Sequence, residues 1–420
     1  MNYIRLTLHS LKNRALTTSL TVLSIGLSIG LFFGVERVRT AARESFEGTI
    51  SGAQLLVGAR TGGVQLLLYS IFHIGDSTNN VSYQSFKDWS GRKGVLWTIP
   101  FSLGDSHRGY RVVGTNENFY KYYKFRDSRS LEFTSGAPNA DLFDVVLGSE
   151  VAEKLHYGLG EKVLVSHGVA AKTLESHEDK PFTVRGILKR TGTPIDRSLF
   201  ISLEGMEAIH IDWKGGYAPS EEERISADRV RKMKIKVDTV TAFLVGLQNR
   251  SQVLTFMRNV NDYKEEPLTA VVPAYALQQL WRIVGYAEDA LRIISVFVVL
   301  VGITGMILSI YTTLNERRRE MSILRSLGAR SHHILLLLVS EAFLLTVAGC
   351  ITGIVFVYAL LGGLQPIIED QFGIFIPVQM PTLMEFGYLG CVLAAGILAG
   401  LIPAWTAYRN ALHDGLSVRV

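Results

Sequence analysis

The chain has 420 residues, of which 48% are hydrophobic and 19% charged, and its formal net charge is +5. This mixture excludes both a purely water-soluble enzyme and a protein made only of membrane helices. It predicts membrane-spanning helices combined with a soluble domain. Both cysteines, Cys350 and Cys391, lie in apolar segments. The soluble domain is therefore expected to depend on its packed core and not on disulfides.

Four apolar segments occur in chain order, at residues 15–35, 293–314, 334–366 and 386–408. Each reaches the ~20 residues that a helix needs to cross the hydrocarbon of a bilayer. Backbone polar groups in lipid must pair within their own segment, so helices are the expected form. Residues 36–292 are too polar to cross. The pattern predicts an α-helical membrane protein with four transmembrane helices and a large extracytoplasmic α+β domain between the first two.

Positive residues indicate the orientation of these segments. Arginine or lysine occurs before the first segment, between the second and third, and after the fourth, at Arg5, Lys12, Arg14, Arg317, Arg318, Arg319, Arg325, Arg330, Arg409 and Arg419. The loop at 367–385 has none. The positive-inside rule then places both termini in the cytoplasm and the large domain in the periplasm, for a protein of the inner membrane.

Two further expectations concern the chain ends. Residues 1–14 have the pattern of an amphipathic helix on the cytoplasmic face, and residues 409–420 form a cytoplasmic tail. The first apolar segment could alternatively be the core of a cleaved secretory signal. It is longer than the 7–15 residues of such a core, and no small-x-small cleavage site follows it, which favours a membrane helix.

The large domain is predicted to begin and end with helical stalks, at 36–47 and 274–291, that continue the first two membrane helices. Between them, β-branched and aromatic residues predict strands at 109–113, 144–147, 162–166, 182–188, 198–202 and 241–246. Helices are expected at 150–157, 203–209 and 251–259. We interpret about 141–235 as a β-rich subdomain inserted into a mixed one, with the charged run 220–236 solvated.

One apolar run in this domain, within residues 55–74, is too short to span a membrane. It has two interpretations. The first is a buried helix or strand. The second is an element that touches an amphiphilic substrate or a partner through Leu66, Tyr69 and Phe72.

The short link at 315–333 reads NERRREMSILRSLGARSHH. Met321, Leu324 and Leu327 recur every three residues, which predicts one apolar helical stripe. Gly328 stands where a helix C-terminus favours a residue that tolerates positive φ. Such a helix suits insertion into a groove of another protein. The alternative is a surface helix bound to anionic lipid.

This link resembles the ERxxEIxxLRxxGA stretch of FtsX-like and MacB-like ABC transporter permeases. The matching residues are Glu316, Arg317, Glu320, Ile323, Leu324, Arg325, Gly328 and Ala329. The resemblance continues with Glu341, Gly349 and Gly353 in the third segment and with Pro403 before Arg409 in the fourth. It also covers DVVLGSEVAEKL at 144–155 and LGEKVLV at 159–165.

The resemblance implies a permease subunit that dimerises, most simply with a second copy, and that is driven by a separate cytoplasmic ATPase carrying ATP and Mg. The link at 315–333 would be the coupling element that docks on this ATPase. The sequence has no GxxxxGK[ST] phosphate-binding loop of its own. ATP-driven motion would be transmitted through the stalks to expel an amphiphile or lipoprotein, and a periplasmic adaptor or lipoprotein would be a further partner.

Two other functions remain open from the sequence. The first is an FtsX-like scaffold that activates periplasmic cell-wall hydrolases and transports nothing. The second is a passive receptor with no ATPase. The substance that the large domain captures would distinguish export from scaffolding.

Small residues in the apolar segments predict close helix packing. They are Gly26, Gly30, Gly34, Gly349, Gly353, Gly396 and Gly400. Their partners could lie in the same subunit or in a second one. Glu341 is the one carboxylate deep in a segment, and we expect a salt bridge to an arginine of the link in preference to proton relay.

Enzymatic chemistry is not expected on this chain. The large domain has six histidines, His73, His107, His156, His167, His177 and His210, without the i, i+4 spacing of a zinc site. No GxSxG or HExxH motif provides a nucleophile or a metal-bound water. Nucleic-acid binding is not expected either, because the positive charge lies at the membrane.

Overall fold

The structure is a computed structural model that describes residues 3–126, 128–167, 179–213, 223–316, 321, 323, 325–326, 328–372 and 380–413. The chain divides into two compact units. The first, called the membrane unit, comprises Met1–Ala42, Gly285–Gln371 and Phe375–Val420. The second, called the α/β unit, comprises Arg43–Val284 with Phe372–Ile374.

The α-helices of the described residues are α1 (Tyr3–Asn13), α2 (Ala15–Glu47), α3 (Gly63–Ser70), α4 (Tyr83–Ser90), α5 (Glu117–Tyr122), α6 (Ser149–Leu155), α7 (Leu203–His210), α8 (Ala227–Val230), α9 (Val253–Asn261), α10 (Pro273–Glu316), α11 (Ser331–Phe372) and α12 (Leu383–His413). The strands are β1 (Leu55–Ala59), β2 (Val81–Ser82), β3 (Val95–His107), β4 (Tyr110–Thr115), β5 (Lys124–Phe125), β6 (Arg129–Ser130), β7 (Phe133–Gly136), β8 (Asp144–Leu147), β9 (Lys162–Val163), β10 (Ser166–His167), β11 (Phe182–Leu188), β12 (Ser198–Ser202), β13 (Thr239–Val240), β14 (Ala242–Leu247) and β15 (Leu268–Val271).

Four helices of the described residues, α2, α10, α11 and α12, are long and apolar enough to cross a membrane. The α/β unit lies in the chain between the first two. The predicted fold class is therefore confirmed. The helices extend past the apolar segments that predicted them, because flanking residues such as those at 36–47 and 274–291 also favour helix and continue it without a break.

The α/β unit contains an eleven-stranded mixed sheet. Its main order is β15-β1-β14-β3-β4-β12-β8-β11-β7, with β10 paired to β3 and β9 to β11. The long strand β3 joins two halves of the sheet. Its first half pairs with β14, from Val95 to Phe101, and its second half pairs with β4, from Ser102 to His107. Two pairs, β4–β12 and β8–β11, are parallel.

Alternation along the strands buries apolar side chains on both faces of the sheet. Val113 and Phe200 belong to one hydrophobic cluster, whereas Val112 and Ile201 belong to another. A third cluster surrounds the buried Trp89. Helices therefore cover both faces of a mixed sheet in which most strand pairs are antiparallel, in agreement with the predicted α+β domain.

Several predicted elements coincide with observed ones. Strands β8, β11 and β12 have the predicted bounds, and helices α6, α7 and α9 differ from theirs by a few residues. The strands within 141–235 do not form a sheet of their own. Three of their partners, β3, β4 and β7, come from residues before 141, so the β-rich part of the sheet begins earlier than the predicted subdomain.

Candidate functional site

The predicted coupling segment follows α10, which ends at Glu316. Arg317, Glu320, Leu324 and Leu327 lie outside the described residues. Around them, Met321 is half-buried, Arg325 and Ala329 are partly exposed, and Ile323 is 53% exposed. Gly328 has φ of 92°, as expected for a helix C-terminus, and its amide donates to the Arg325 carbonyl at 2.9 Å. The docking role of the segment stays a prediction.

Glycines bring α2 and α11 into close contact within the chain. A Cβ atom placed on Gly353 would lie 2.7 Å from the Gly26 carbonyl oxygen and 2.9 Å from Ile29 Cβ. One placed on Gly349 would overlap Ile25. A Cβ atom placed on Gly26 would lie 3.0 Å from Thr352 Cγ2. The missing side chains therefore allow the two backbones to approach.

The same kind of packing joins other helix pairs. A Cβ on Gly30 would lie 3.1 Å from Phe356, again between α2 and α11. On α12, Cβ atoms at Gly396 and Gly400 would overlap Thr346 and Ala342 of α11. Gly34 has no heavy atom of the described chain within 4 Å of its Cβ position and takes no part in these contacts.

One buried ion pair connects three membrane helices. The Arg37 guanidinium on α2 donates from Nε to Glu385 Oε1 at 2.9 Å and from Nη2 to Glu385 Oε2 at 3.1 Å. It also donates to the Tyr358 hydroxyl on α11 at 2.9 Å. The Arg37 and Glu385 side chains are only 10% and 7% exposed. This bidentate geometry is the strongest form of the arginine–carboxylate interaction.

Glu385 has a second role at the start of α12. The Thr382 amide donates to Glu385 Oε2 at 2.6 Å, and the Glu385 amide donates to Thr382 Oγ1 at 3.3 Å. This reciprocal arrangement is a capping box, which satisfies free amides at a helix N-terminus. The carboxylate therefore both begins α12 and ties it to α2.

A second charge cluster, formed by Glu36, Arg39, Glu288 and Arg292, joins α2 to α10. Arg39 Nη2 contacts Glu36 Oε1 at 2.6 Å, and Arg39 Nη1 contacts Glu288 Oε2 at 3.2 Å. Arg292 Nη2 lies 3.7 Å from Glu36 Oε2. The four side chains alternate in charge across the two helices, so each cation lies near a carboxylate of the other helix.

Sequence reasoning missed both charge clusters, although a signal was present. Arg37 is the second residue after the first apolar segment, on the side where the positive-inside rule disfavours a cation. Glu385 directly precedes the fourth segment, at the matching depth. Opposite charges at equal depth on two predicted spans favour a pair.

Glu341 is buried on α11, at 5% exposed. Its expected salt bridge to an arginine of the link stays a prediction, because Arg317, Arg318 and Arg319 lie outside the described residues. The nearby Thr7 and Ser340 hydroxyls are hydrogen-bonded at 2.8 Å, which joins α1 to this end of α11.

The structure decides between the two interpretations of residues 55–74 in favour of a buried element. Leu66, Tyr69 and Phe72 are 0%, 2% and 5% exposed and belong to the same hydrophobic cluster. They lie on or directly after α3, which packs on β1. The suggestion that these three side chains contact a substrate or partner is therefore corrected, because their surfaces are already covered by the core.

Three histidines of the α/β unit have bonding partners within the fold. His73 Nδ1 pairs with Ser198 Oγ at 2.9 Å, His107 Nε2 with the Tyr157 hydroxyl at 3.1 Å, and His210 Nδ1 with the Met206 carbonyl at 2.9 Å. Burial lowers the pKa of His73 to about 4 and also lowers the pKa of His107, so both rings are neutral at pH 7. Within the described ranges, no group of three side chains is placed to hold a metal ion.

Two family models match adjacent parts of the chain. The MacB-like periplasmic core domain matches residues 18–243, and the FtsX-like permease C-terminal region matches residues 292–415. The first covers the α/β unit up to β14, and the second covers the last three membrane helices. The chain belongs to the MacB-like and FtsX-like family of ABC transporter permeases.

Curated relatives agree with this assignment. The chain is 24% identical over 71% of its length to the pyoverdine export ATP-binding/permease protein PvdT of Pseudomonas fluorescens, covering 41% of that protein. It is 23% identical over 85% of its length to the macrolide export ATP-binding/permease protein MacB of Nitrobacter winogradskyi, covering 53% of that protein. The chain thus spans about half the length of the curated relatives it matches.

Two solved domains also align with the chain. The periplasmic region of MacB from Actinobacillus actinomycetemcomitans aligns over 56% of this chain and 94% of its own, with 11% identity and a TM-score of 0.32. The extracellular domain of the transporter YknZ from Gram-positive bacteria aligns over 52% and 99%, with 13% identity and a TM-score of 0.29.

Proposed function

We propose that this permease transmits mechanical work and does not form a water-filled channel. A separate cytoplasmic ATPase would hydrolyse ATP with Mg and move the segment at 315–333. Two copies of the chain would form the permease, with both termini in the cytoplasm and the α/β unit in the periplasm. The work would expel an amphiphile or a lipoprotein.

The observation that carries this proposal is the continuity of two helices. α2 is unbroken from Ala15 to Glu47, and α10 is unbroken from Pro273 to Glu316. The division of the chain into two units falls inside each helix, after Ala42 in α2 and after Val284 in α10. A continuous helix resists bending better than a loop, because every turn is held by backbone hydrogen bonds. Motion at the membrane end would then reach the α/β unit.

The charge cluster between the two helices supports the same mechanism. Arg39 on α2 contacts Glu288 on α10, and Arg292 lies near Glu36. These two contacts between oppositely charged side chains favour joint movement of α2 and α10. A push on either one would thus be shared.

The buried hydroxyls of the membrane unit argue against a polar path. Ser28, Ser295 and Thr346 each donate to a carbonyl four residues earlier in their own helix, at 2.7–2.8 Å. A hydroxyl whose proton is bonded in this way needs no water as an acceptor. Ile323, exposed in the link, supplies an apolar contact for the partner ATPase.

Export is favoured over hydrolase activation by the match to the MacB-like domain, which covers more than half of the chain. Both relatives described above are named as export proteins, one for pyoverdine and one for macrolides. The substrate of this chain is proposed only as a class, an amphiphile or a lipoprotein.

The test breaks one helix and measures motion. The chain, with Cys350→Ser and Cys391→Ser, carries a spin label at the exposed Lys93→Cys and is reconstituted with its ATPase. ATP with vanadate should change the label–label distance between the two subunits. A Gly-Gly insertion between Thr40 and Ala41 should remove that change while ATP hydrolysis continues.

The control is the same insertion between Lys264 and Glu265, in an exposed turn after α9. It should leave the ATP-dependent distance change intact. Persistence of the change after the α2 insertion would refute rigid transmission through this helix. Absence of any change in the parent protein would refute the mechanism as a whole.

A further inference from the structure

The α/β unit contains a cavity of about 340 Å³ that none of the observations above uses. It lies at the carboxyl ends of β4 and β12, which are parallel neighbours in register from Ser198 opposite Arg111 to Ser202 opposite Thr115. Thr115 and Ser202, the last residues of the two strands, both line it.

The two strands lead into helices on opposite faces of the sheet. α5 follows β4, and its Phe119 joins the cluster that contains Val113 and Phe200. α7 follows β12, and its Met206 joins the cluster that contains Ile201. Where the connections of adjacent parallel strands diverge in this way, a crevice opens outside their carboxyl ends. Open α/β sheets bind ligands in such crevices.

Hydrogen bonds fix one wall of the cavity. Asn139 Nδ2 donates to the carbonyls of Asp144, at 3.3 Å, and Phe200, at 3.2 Å. The Tyr120 hydroxyl donates to Asn139 Oδ1 at 3.2 Å. Burial raises the pKa of Tyr120, so its hydroxyl keeps the proton that this bond needs. A wall held in this way is preformed, which lowers the entropy cost of binding.

The rim is fixed as well. Asp144 Oδ2 accepts from the amides of Ala140 and Asp141 at 2.9 and 2.8 Å. The Asp141 carboxylate pairs with Arg231 at 2.9 Å. Ser202 Oγ accepts from the Gly205 amide at 2.9 Å and so caps α7. These polar groups are therefore satisfied before any ligand enters.

Two carboxylates on the cavity wall differ from this pattern. Glu117 and Glu204, in the first turns of α5 and α7, are exposed and have no hydrogen bond or ion pair with the described residues. The described residues that line the cavity include no lysine, arginine or histidine. Among the described residues, the cavity thus carries two carboxylates without a cationic partner, one in the first turn of α5 and one in the first turn of α7.

We infer that this crevice binds a ligand through an ammonium or guanidinium group held between Glu117 and Glu204. A cation with several N–H donors satisfies both carboxylates, and charge-assisted hydrogen bonds give the strongest recognition. The cavity volume limits the bound part to a small molecule or one side chain. This binding does not depend on the proposed transmission of motion.

The experiment compares two probes of equal shape and different charge. Butylguanidinium and the neutral butylurea are titrated separately into the full chain in detergent, and binding is measured by calorimetry or by saturation-transfer NMR. Butylguanidinium should bind saturably and butylurea at least about tenfold more weakly. Equal binding of the two probes, or no saturable binding of butylguanidinium, would overturn the inference.

Variants locate the site. Glu117→Gln and Glu204→Gln should each weaken butylguanidinium binding about tenfold or more, since each removes a charge-assisted contact. The exposed Glu265→Gln, away from the cavity, is the matched control and should leave affinity unchanged. Thermal unfolding of each variant checks that the fold is kept. Unchanged affinity in the double glutamine variant would overturn the assignment.

A third probe identifies the source of the cation. A capped Gly-Arg-Gly peptide carries the same guanidinium on a polypeptide. Binding of this peptide as well as butylguanidinium supports recognition of a basic side chain of a protein, whereas binding of butylguanidinium alone supports a free small molecule. Both results keep the cation site and differ only in what supplies the ligand.

Discussion

The two units of this chain are packed by different kinds of side chain. The largest fully buried aromatic side chains of the described residues, among them Trp89, Phe119, Phe200 and Phe243, lie in the α/β unit. In the membrane unit, close contacts form where side chains are missing, as at Gly349 and Gly353. Water drives large apolar groups into a core, but lipid gives no such drive, so membrane helices gain from fit instead.

The units also differ in how they use charge. In the α/β unit, the fully buried Lys180 contacts Asp212 at 2.7 Å inside the fold. In the membrane unit, the described ion pairs, such as Arg37 with Glu385, lie near the ends of the apolar segments. Hydrocarbon penalises charge along the middle of a span. Burial of large side chains therefore holds the α/β unit together, whereas close fit and charges at the helix ends hold the membrane unit.

The largest expected effect tests burial in the α/β unit. Phe200 is 1% exposed, and its ring stacks on Phe119 with centroids 4.6 Å apart. Phe200→Ala should lower the free energy of unfolding of this unit by about 3–5 kcal/mol, because it leaves a cavity. Unfolding of the full chain in detergent is followed by tryptophan fluorescence. Leu254→Ala, at a 69% exposed position, is the control and should change the free energy of unfolding by less than about 0.5 kcal/mol.

A smaller effect tests the end charges of the membrane unit. Arg37→Gln leaves the buried Glu385 carboxylate without its bidentate partner. It should lower the free energy of unfolding of the membrane unit by about 2–3 kcal/mol. The readout is the reaction of a thiol dye with the buried Cys350 during heating, in a Cys391→Ser background.

Adding Glu385→Gln to Arg37→Gln should recover much of the lost stability, since no uncompensated buried charge is then left. The exposed pair of Lys189 and Glu132 provides the comparison, and Lys189→Gln should have little effect on stability. If Arg37→Gln melts at the parent temperature, the ion pair contributes nothing to the bundle.

The smallest effect tests shape. Gly353→Ala places a methyl group 2.7 Å from the Gly26 carbonyl and should destabilise the membrane unit by about 1–3 kcal/mol in the same thiol assay. Gly34→Ala, where the described chain leaves open space, should be neutral or slightly stabilising because alanine favours helix. Equal melting of the two variants would contradict the role of close glycine packing.

The sequence predicted the parts of the fold that depend on local pattern. Strands β11 and β12 were predicted with their observed bounds, because both are rich in β-branched and aromatic residues. β3 was missed because Pro100 and Gly104 interrupt it, although Pro100 is paired with Phe243 in the sheet. The order of strands depends on pairs far apart in the chain, which no local window contains.

In the candidate sites too, the sequence predicted what depends on local pattern and missed what depends on contacts far apart in the chain. Glycine spacing predicted which faces pack, but only the structure paired Gly26 with Thr352 and left Gly34 without a neighbour. The cavity between α5 and α7 had no signal in the sequence, because its wall joins residues near 117, 139 and 204. A crevice of this kind exists only after the sheet has formed.

The place of β1 in the sheet, between β14 and the edge strand β15, has a consequence for biosynthesis. Leu55–Ala59 pairs on one side with β14 and on the other with β15, which begins at Leu268. At 5–20 residues per second, a ribosome needs roughly 10–40 s to produce the intervening chain. For most of that interval, until β14 is made, this apolar strand has neither of its neighbours, and unpaired strands aggregate readily. Nascent copies of this protein should therefore require a chaperone until β15 emerges.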